Sequence, residues 1–119
     1  MDVGLLIRYG KLVPGRETEA VELFAEGERF FKERLDKGVI TFFEPFFLAT
    51  SDLEEELGFH IIKGPAPEIF KLMEEEGYRA LMTKMHLVVE HPRADLLTVG
   101  EGIQAQLELF AKVRAELGI

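Results

Sequence analysis

Two histidines, an arginine and a carboxylate fall at matching positions of predicted strands: Arg8, His60, His86 and Glu90, with Glu44 joining them if the second strand turns its even positions the same way. An imidazole that is neutral near pH 7 can take or give a proton, a carboxylate can orient it, and a guanidinium can hold an anionic oxygen. The predicted chemistry is proton abstraction by His60 or His86, with Arg8 or Tyr9 stabilising the resulting enolate. Two imidazoles and a carboxylate would also suit a divalent cation. Each histidine stands on its own predicted strand, however, and no HExxH pair supplies helical ligand spacing, so no metal site is expected. Phe42 and Phe46, or Phe43 and Phe47 in the other parity, would add aromatic walls to a ligand site.

Every one of these residues also has a plain structural account. His60 and His86 can be half-buried histidines bonded across a sheet or an interface, and Arg8 can form a cross-strand ion pair with Glu44 or Glu90. The phenylalanine run reads as core and interface, and His91, just before Pro92, as a strand-end residue. Glu54–Glu56 and Glu74–Glu76 read as solvated charge runs. Gly100 and Gly102 form no phosphate-binding fingerprint, because a third glycine and a preceding Rossmann unit are missing.

The elements that would position these groups follow from periodicity. Residues 3–9 read as a strand, and Pro14-Gly15 marks a turn. Over residues 16–37 Ala20, Leu23, Phe24, Phe30, Phe31 and Leu35, with Gly27 between, recur at helical spacing, opposite a glutamate-rich side. Residues 39–50 form a β-rich run that Pro45 makes an edge or bulged strand, residues 51–56 a polar connection, and residues 58–63 a third strand. Pro65 and Pro67 introduce a second helix that stops at Gly77 and continues briefly over 78–83. Residues 85–91 (MHLVVEH) read as the fourth strand, and residues 93–100 as either a short fifth strand or a loop. Thr98 and Glu101 match a capping box before a final helix over 101–117.

The order is β-α-β-β-α-β with an added C-terminal helix: a single α+β domain over 1–119 of ferredoxin-like type, with strands one and three central. The apolar strand from Leu5 onward (LLIRYG), the Pro14-Gly15 turn and the acidic helix start at Glu17 and Glu19 resemble the opening of the dimeric α+β barrel superfamily. That group includes antibiotic biosynthesis monooxygenase-like, NIPSNAP-like, EthD-like and stress-responsive A/B barrel proteins. The resemblance spans residues 3–91 and implies two sheets facing each other across a dimer axis, with a small pocket in each subunit. It implies no particular catalytic residue. For an oxygenase of this kind it implies no flavin and no metal, because a substrate carbanion itself reduces oxygen; no cofactor is expected.

A dimer is also expected from the strands themselves. Alternation assigns Val3, Leu5, Ile7, Phe59, Ile61, Met85, Leu87 and Val89 to the face beneath the helices. Leu6, Arg8, His60, Ile62, His86, Val88 and Glu90 fall on the other face, which is too apolar to stay bare. A second copy of the chain or the C-terminal helix must cover it.

Composition bounds the partners. The 119 residues carry a net charge of -8 and no cysteine, which excludes disulfides and thiolate chemistry and makes nucleic acid an unlikely match for the surface. No apolar run is long enough to span a membrane, and the N-terminus does not read as a signal peptide, so a cytoplasmic setting is expected. The absence of asparagine beside abundant glutamate, lysine and arginine is thermophile-like. Two functions fit: a non-catalytic dimer that binds a small, largely apolar or aromatic molecule, or a cofactor-independent monooxygenase-like or isomerase-like enzyme. The discriminating observation is whether His60, His86 and Glu90 line one concave pocket.

Overall fold

A computed structural model describes residues 1–50 and 56–119. The elements run β1 (Asp2–Tyr9), α1 (Glu17–Asp36), β2 (Phe42–Phe47), β3 (Gly58–Pro65), α2 (Ala66–Glu74), α3 (Glu76–Val88), β4 (Arg93–Thr98) and α4 (Glu101–Leu117). The four strands form one antiparallel sheet in the order β2-β3-β1-β4, so strands one and three are central as expected for the ferredoxin-like α+β fold. Most of the connection expected over 51–56 lies outside the described residues.

Helix α1 buries Ala20, Leu23, Gly27 and Phe31, a spacing of three and four that keeps one stripe on the sheet. Glu17 and Glu19 in its first turn and Arg34 in its last suit the helix dipole, and Gly38 turns the chain with φ +75°. Pro45 sits on edge strand β2, where its missing N–H leaves the central ladder intact. The core between sheet and helices centres on Leu5, Ile7, Phe31, Ile62, Ile69 and Leu72, all fully buried.

Two expectations are corrected. Residues 85–91 do not form a strand. Helix α3 begins after an extended break at Glu75 and runs through Val88, burying Tyr78, Leu81, Met85 and Val88. Strand alternation over MHLVVEH would bury Leu87 and expose Val88, whereas Leu87 is 57% exposed and Val88 only 7%. Helical periodicity, carried on from Tyr78, outcompetes a short alternation. The next residues form only an isolated bridge, Leu12 to Val89, flanked by backbone bonds from Gly10 to Glu90 and from Val13 to Val88. His91 then takes φ +53° to reverse the chain, and residues 93–98, left between strand and loop by the sequence, supply the fourth strand.

The second correction concerns the faces of β3. The register pairs Leu5 with Ile62 and Ile7 with His60, so odd positions of β1 share a face with even positions of β3. His60 and Ile62 therefore lie beneath the helices, while Phe59 and Ile61 join Leu6 and Arg8 on the open face. On β2, Phe43 and Pro45 pair with Ile62 and His60 on the helix side, which leaves Phe42, Glu44 and Phe46 on the open side.

Candidate functional site

The β1 and β3 ends farthest from Met1 and the inner faces of α1 and α3 enclose a cavity of about 360 Å³. Leu23, Phe24 and Phe31 of α1, with Leu81 and Met85 of α3, make most of its wall. Leu12 and Val89, joined by the isolated bridge, add to the wall, and exposed Val21 and Phe47 form the rim toward solvent. Among the described residues no charged side chain lines it, and the only lining side chains with nitrogen or oxygen atoms are Tyr9 and His60.

These two are held by packing. The His60 ring, 6% exposed, meets Tyr9, Phe24 and Phe43 edge to face at centroid distances of 5.4, 5.3 and 5.6 Å. Phe24 in turn stacks on Phe47 at 5.4 Å. Burial lowers the His60 pKa to about 4, so the ring is neutral at pH 7. Burial, and then the Glu28 carboxylate, raises the Tyr9 pKa, so its phenol stays protonated. The Tyr9 hydroxyl oxygen and His60 Nε2 are both buried without a hydrogen-bond partner. An orphaned buried polar atom costs about 1–3 kcal/mol, so two at one cavity wall call for an explanation.

Gly58, opposite Tyr9 in the ladder, allows this arrangement. A Cβ there would fall 2.5 Å from the Phe46 carbonyl oxygen and 3.0 Å from the Tyr9 hydroxyl. Only glycine lets edge strand β2 and the phenol approach so closely.

Of the residues singled out by sequence, the structure brings His60 and Tyr9 together in this cavity. Arg8, Glu44, Phe42 and Phe46 lie on the opposite face of the sheet. There Arg8 pairs with Glu56 at 3.8 Å, in place of the expected Glu44 or Glu90. Phe46 stacks on Phe59 at 5.1 Å, and Lys63 sits over the Phe42 ring at 4.6 Å. His86 is exposed on α3, turned away from the pocket that neighbouring Met85 lines. Glu90 meets Lys11 at 3.8 Å, beyond the end of α3. His60, His86 and Glu90 thus share no pocket. Among the described residues no cluster of three His, Asp or Glu side chains could hold a metal ion, and no helix is long and apolar enough to cross a membrane.

Sequence reading missed Phe24, Met85 and Val89 as pocket residues. Phe24 carried a signal, as an aromatic on the inner stripe of α1, but Met85 and Val89 were hidden by the strand reading of 85–91.

No protein-family model matches the chain, and no curated protein matches it. Solved structures do. A mutant of SnoaB, a cofactor-independent oxygenase from Streptomyces nogalater, is 16% identical with a TM-score of 0.61, covering 82% of this chain and 92% of that one. A dimeric protein of unknown function and ferredoxin-like fold from Bacteroides fragilis is 13% identical with a TM-score of 0.55, over 80% of this chain and 93% of that one. An EthD-family protein from Bacillus halodurans is 10% identical with a TM-score of 0.54, over 80% and 97% respectively. At such identities the likeness is one of fold: the chain has the ferredoxin-like α+β fold expected from its sequence.

Proposed function

We propose that this protein binds a small, neutral, largely apolar molecule, aromatic or of similar shape, in the cavity between its sheet and helices α1 and α3. The observation that carries this reading is the pair of unpartnered buried polar atoms, Tyr9 hydroxyl and His60 Nε2, on an otherwise apolar wall. A ligand bearing one hydroxyl or carbonyl would satisfy both and fill the rest of the volume with hydrocarbon. The lining among the described residues carries no charge to offset the desolvation of a carboxylate or an ammonium.

Titration calorimetry with 2-naphthol, naphthalene and 2-naphthoate tests this. The expected order is 2-naphthol first, naphthalene about tenfold weaker for want of one hydrogen bond worth roughly 1.4 kcal/mol, and naphthoate without measurable binding. Equal affinity for all three, or an affinity unchanged in Tyr9→Phe and His60→Leu, would overturn it.

A catalytic reading is favoured by one feature, the adjacency of the Tyr9 and His60 rings at 5.4 Å. It casts His60 as the base and Tyr9 as the donor to an enolate, the chemistry of a cofactor-independent oxygenase or an isomerase. A base with a pKa of about 4 is weak, which places binding ahead of catalysis. Uptake of solvent deuterium α to the carbonyl of 2-tetralone, lost in His60→Leu, would reverse that order.

The same reading assigns the open sheet face to a second copy of the chain. Leu6, Phe59, Ile61 and Leu97 crowd that face, and Arg8 Nε and Asp95 Oδ2 are buried on it in ion pairs with Glu56 at 3.8 Å and Arg93 at 3.2 Å. A monomer would leave this surface to water.

A further inference from the structure

Helix α4 leaves the body of the protein. Of its 17 residues only Gly102 is buried, and the large apolar side chains Ile103, Leu107, Phe110, Val113 and Leu117 are all exposed, Phe110 by 61%. Projected at 100° per residue they share one side of the helix, with Gln106 and Arg114 among them and exposed Leu109 beside Val113, while Gln104, Glu108 and Lys112 lie opposite. This is the pattern of a helix that packs against something.

The departure of α4 is built into the chain. Gly100 turns the backbone with φ +54°, and the amides of Gly102 and Ile103 bond to the carbonyls of Val99 and Gly100. Gly102 is wedged so closely that a Cβ would lie 3.0 Å from Thr98 Cγ2 and 3.4 Å from Met1 Sδ. The first turn is thereby fastened to the sheet's edge while the remainder, about 25 Å long over the whole helix, points outward. The radius of gyration is 16.8 Å and the longest dimension 55 Å, against a radius of about 13–14 Å for a compact chain of this length.

The geometry points to α4 as an exchanged arm that packs its apolar arc onto a second copy of this chain. The inference rests on the two-copy reading above and adds a surface to it. Area favours that occupant: the arc offers on the order of 500 Å² of apolar surface per chain, at the upper end of what a monomer leaves bare. Two such arms, doubled by the surfaces they would cover, come near the roughly 1,600 Å² that a stable dimer buries. Symmetry favours it too, since a two-fold pairing covers both arms and both open sheets at once. A membrane is a poor fit. The helix carries two cations against three carboxylates, without the basic polar face of an interfacial helix, and the chain is at -8.

The test compares the full chain with two variants by sedimentation equilibrium and circular dichroism. One is the arm variant Leu107→Glu/Phe110→Glu; the other is Ile61→Glu on the open sheet. The wild type is expected at the mass of two 13.5 kDa chains. The arm variant should keep its helical signal and raise the dimer dissociation constant at least tenfold. In the wild type, amide exchange over 103–117 should slow as concentration rises through that constant. An arm variant that dimerises like the wild type while Ile61→Glu dissociates would overturn the exchanged arm and leave the sheet interface standing. A wild type that stays monomeric at every concentration would overturn both. So would a monomer whose α4 binds vesicles of phosphatidylcholine and phosphatidylglycerol.

Discussion

The two faces of the sheet carry the same kinds of residue and put them to opposite uses. On the helix side, the Tyr9 hydroxyl and His60 Nε2 are buried without hydrogen-bond partners, and aromatic edges hold the rings at a cavity wall. On the open side, Arg8 pairs with Glu56 and Lys63 caps Phe42, polar groups balanced by partners that solvent can reach. A histidine in the first setting becomes a neutral hydrogen-bonding group. The charges in the second serve orientation more than stability.

The contrast is tested most severely at neighbouring isoleucines of β3. Ile62 is fully buried under the helices, so Ile62→Ala should cost about 3–4 kcal/mol in urea unfolding at a concentration where the chain is monomeric. Ile61→Ala, one residue away on the open side, should cost about 1 kcal/mol under the same conditions. Equal losses would mean that the two faces are not distinct environments.

Acid should find the helix side next. The folded-state pKa of His60 is about 4, below its ordinary 6.5, so the unfolded chain takes up the proton first. The associated stability is complete above pH 6.5 and is lost as pH falls from there toward 4, by about 3 kcal/mol at 1.36 kcal/mol per pH unit. His60→Leu should flatten that segment of the profile, measured by urea midpoints across the range. An unchanged slope would show that the ring is already protonated or wet in the native state.

Tyr9→Phe removes a buried hydroxyl without a hydrogen-bond partner, so the protein by itself should gain about 1 kcal/mol while 2-naphthol binding weakens about tenfold. The smallest effect is expected on the open side. Arg8→Ala should change monomer stability by no more than about 0.5 kcal/mol, with the difference from wild type fading in salt.

Much of the fold was legible. Pro45 announced an edge strand, the stripe through Ala20, Leu23 and Phe31 a sheet-facing helix, and the element order a ferredoxin-like topology. The candidate site was legible only in part. Tyr9 and His60, both singled out from the sequence, line the cavity, yet His60 was assigned to the wrong face and grouped with His86, Arg8 and Glu90, which lie elsewhere. Both errors came from short segments. Seven residues, 85–91, fit a helix end and a strand equally well by pattern, and the choice fell to whether Val88 or Leu87 could reach the core.

Composition and local periodicity were enough to specify helix α1, the first three strands and the apolar excess that asks for a partner, because each depends on residues close together in the chain. Which side of β3 meets the helices was settled by its hydrogen-bond register with β1, more than fifty positions away, and a slip of one residue there exchanges the inner and outer faces. That single long-range choice put His60 beside Tyr9 in the cavity and left Arg8 outside.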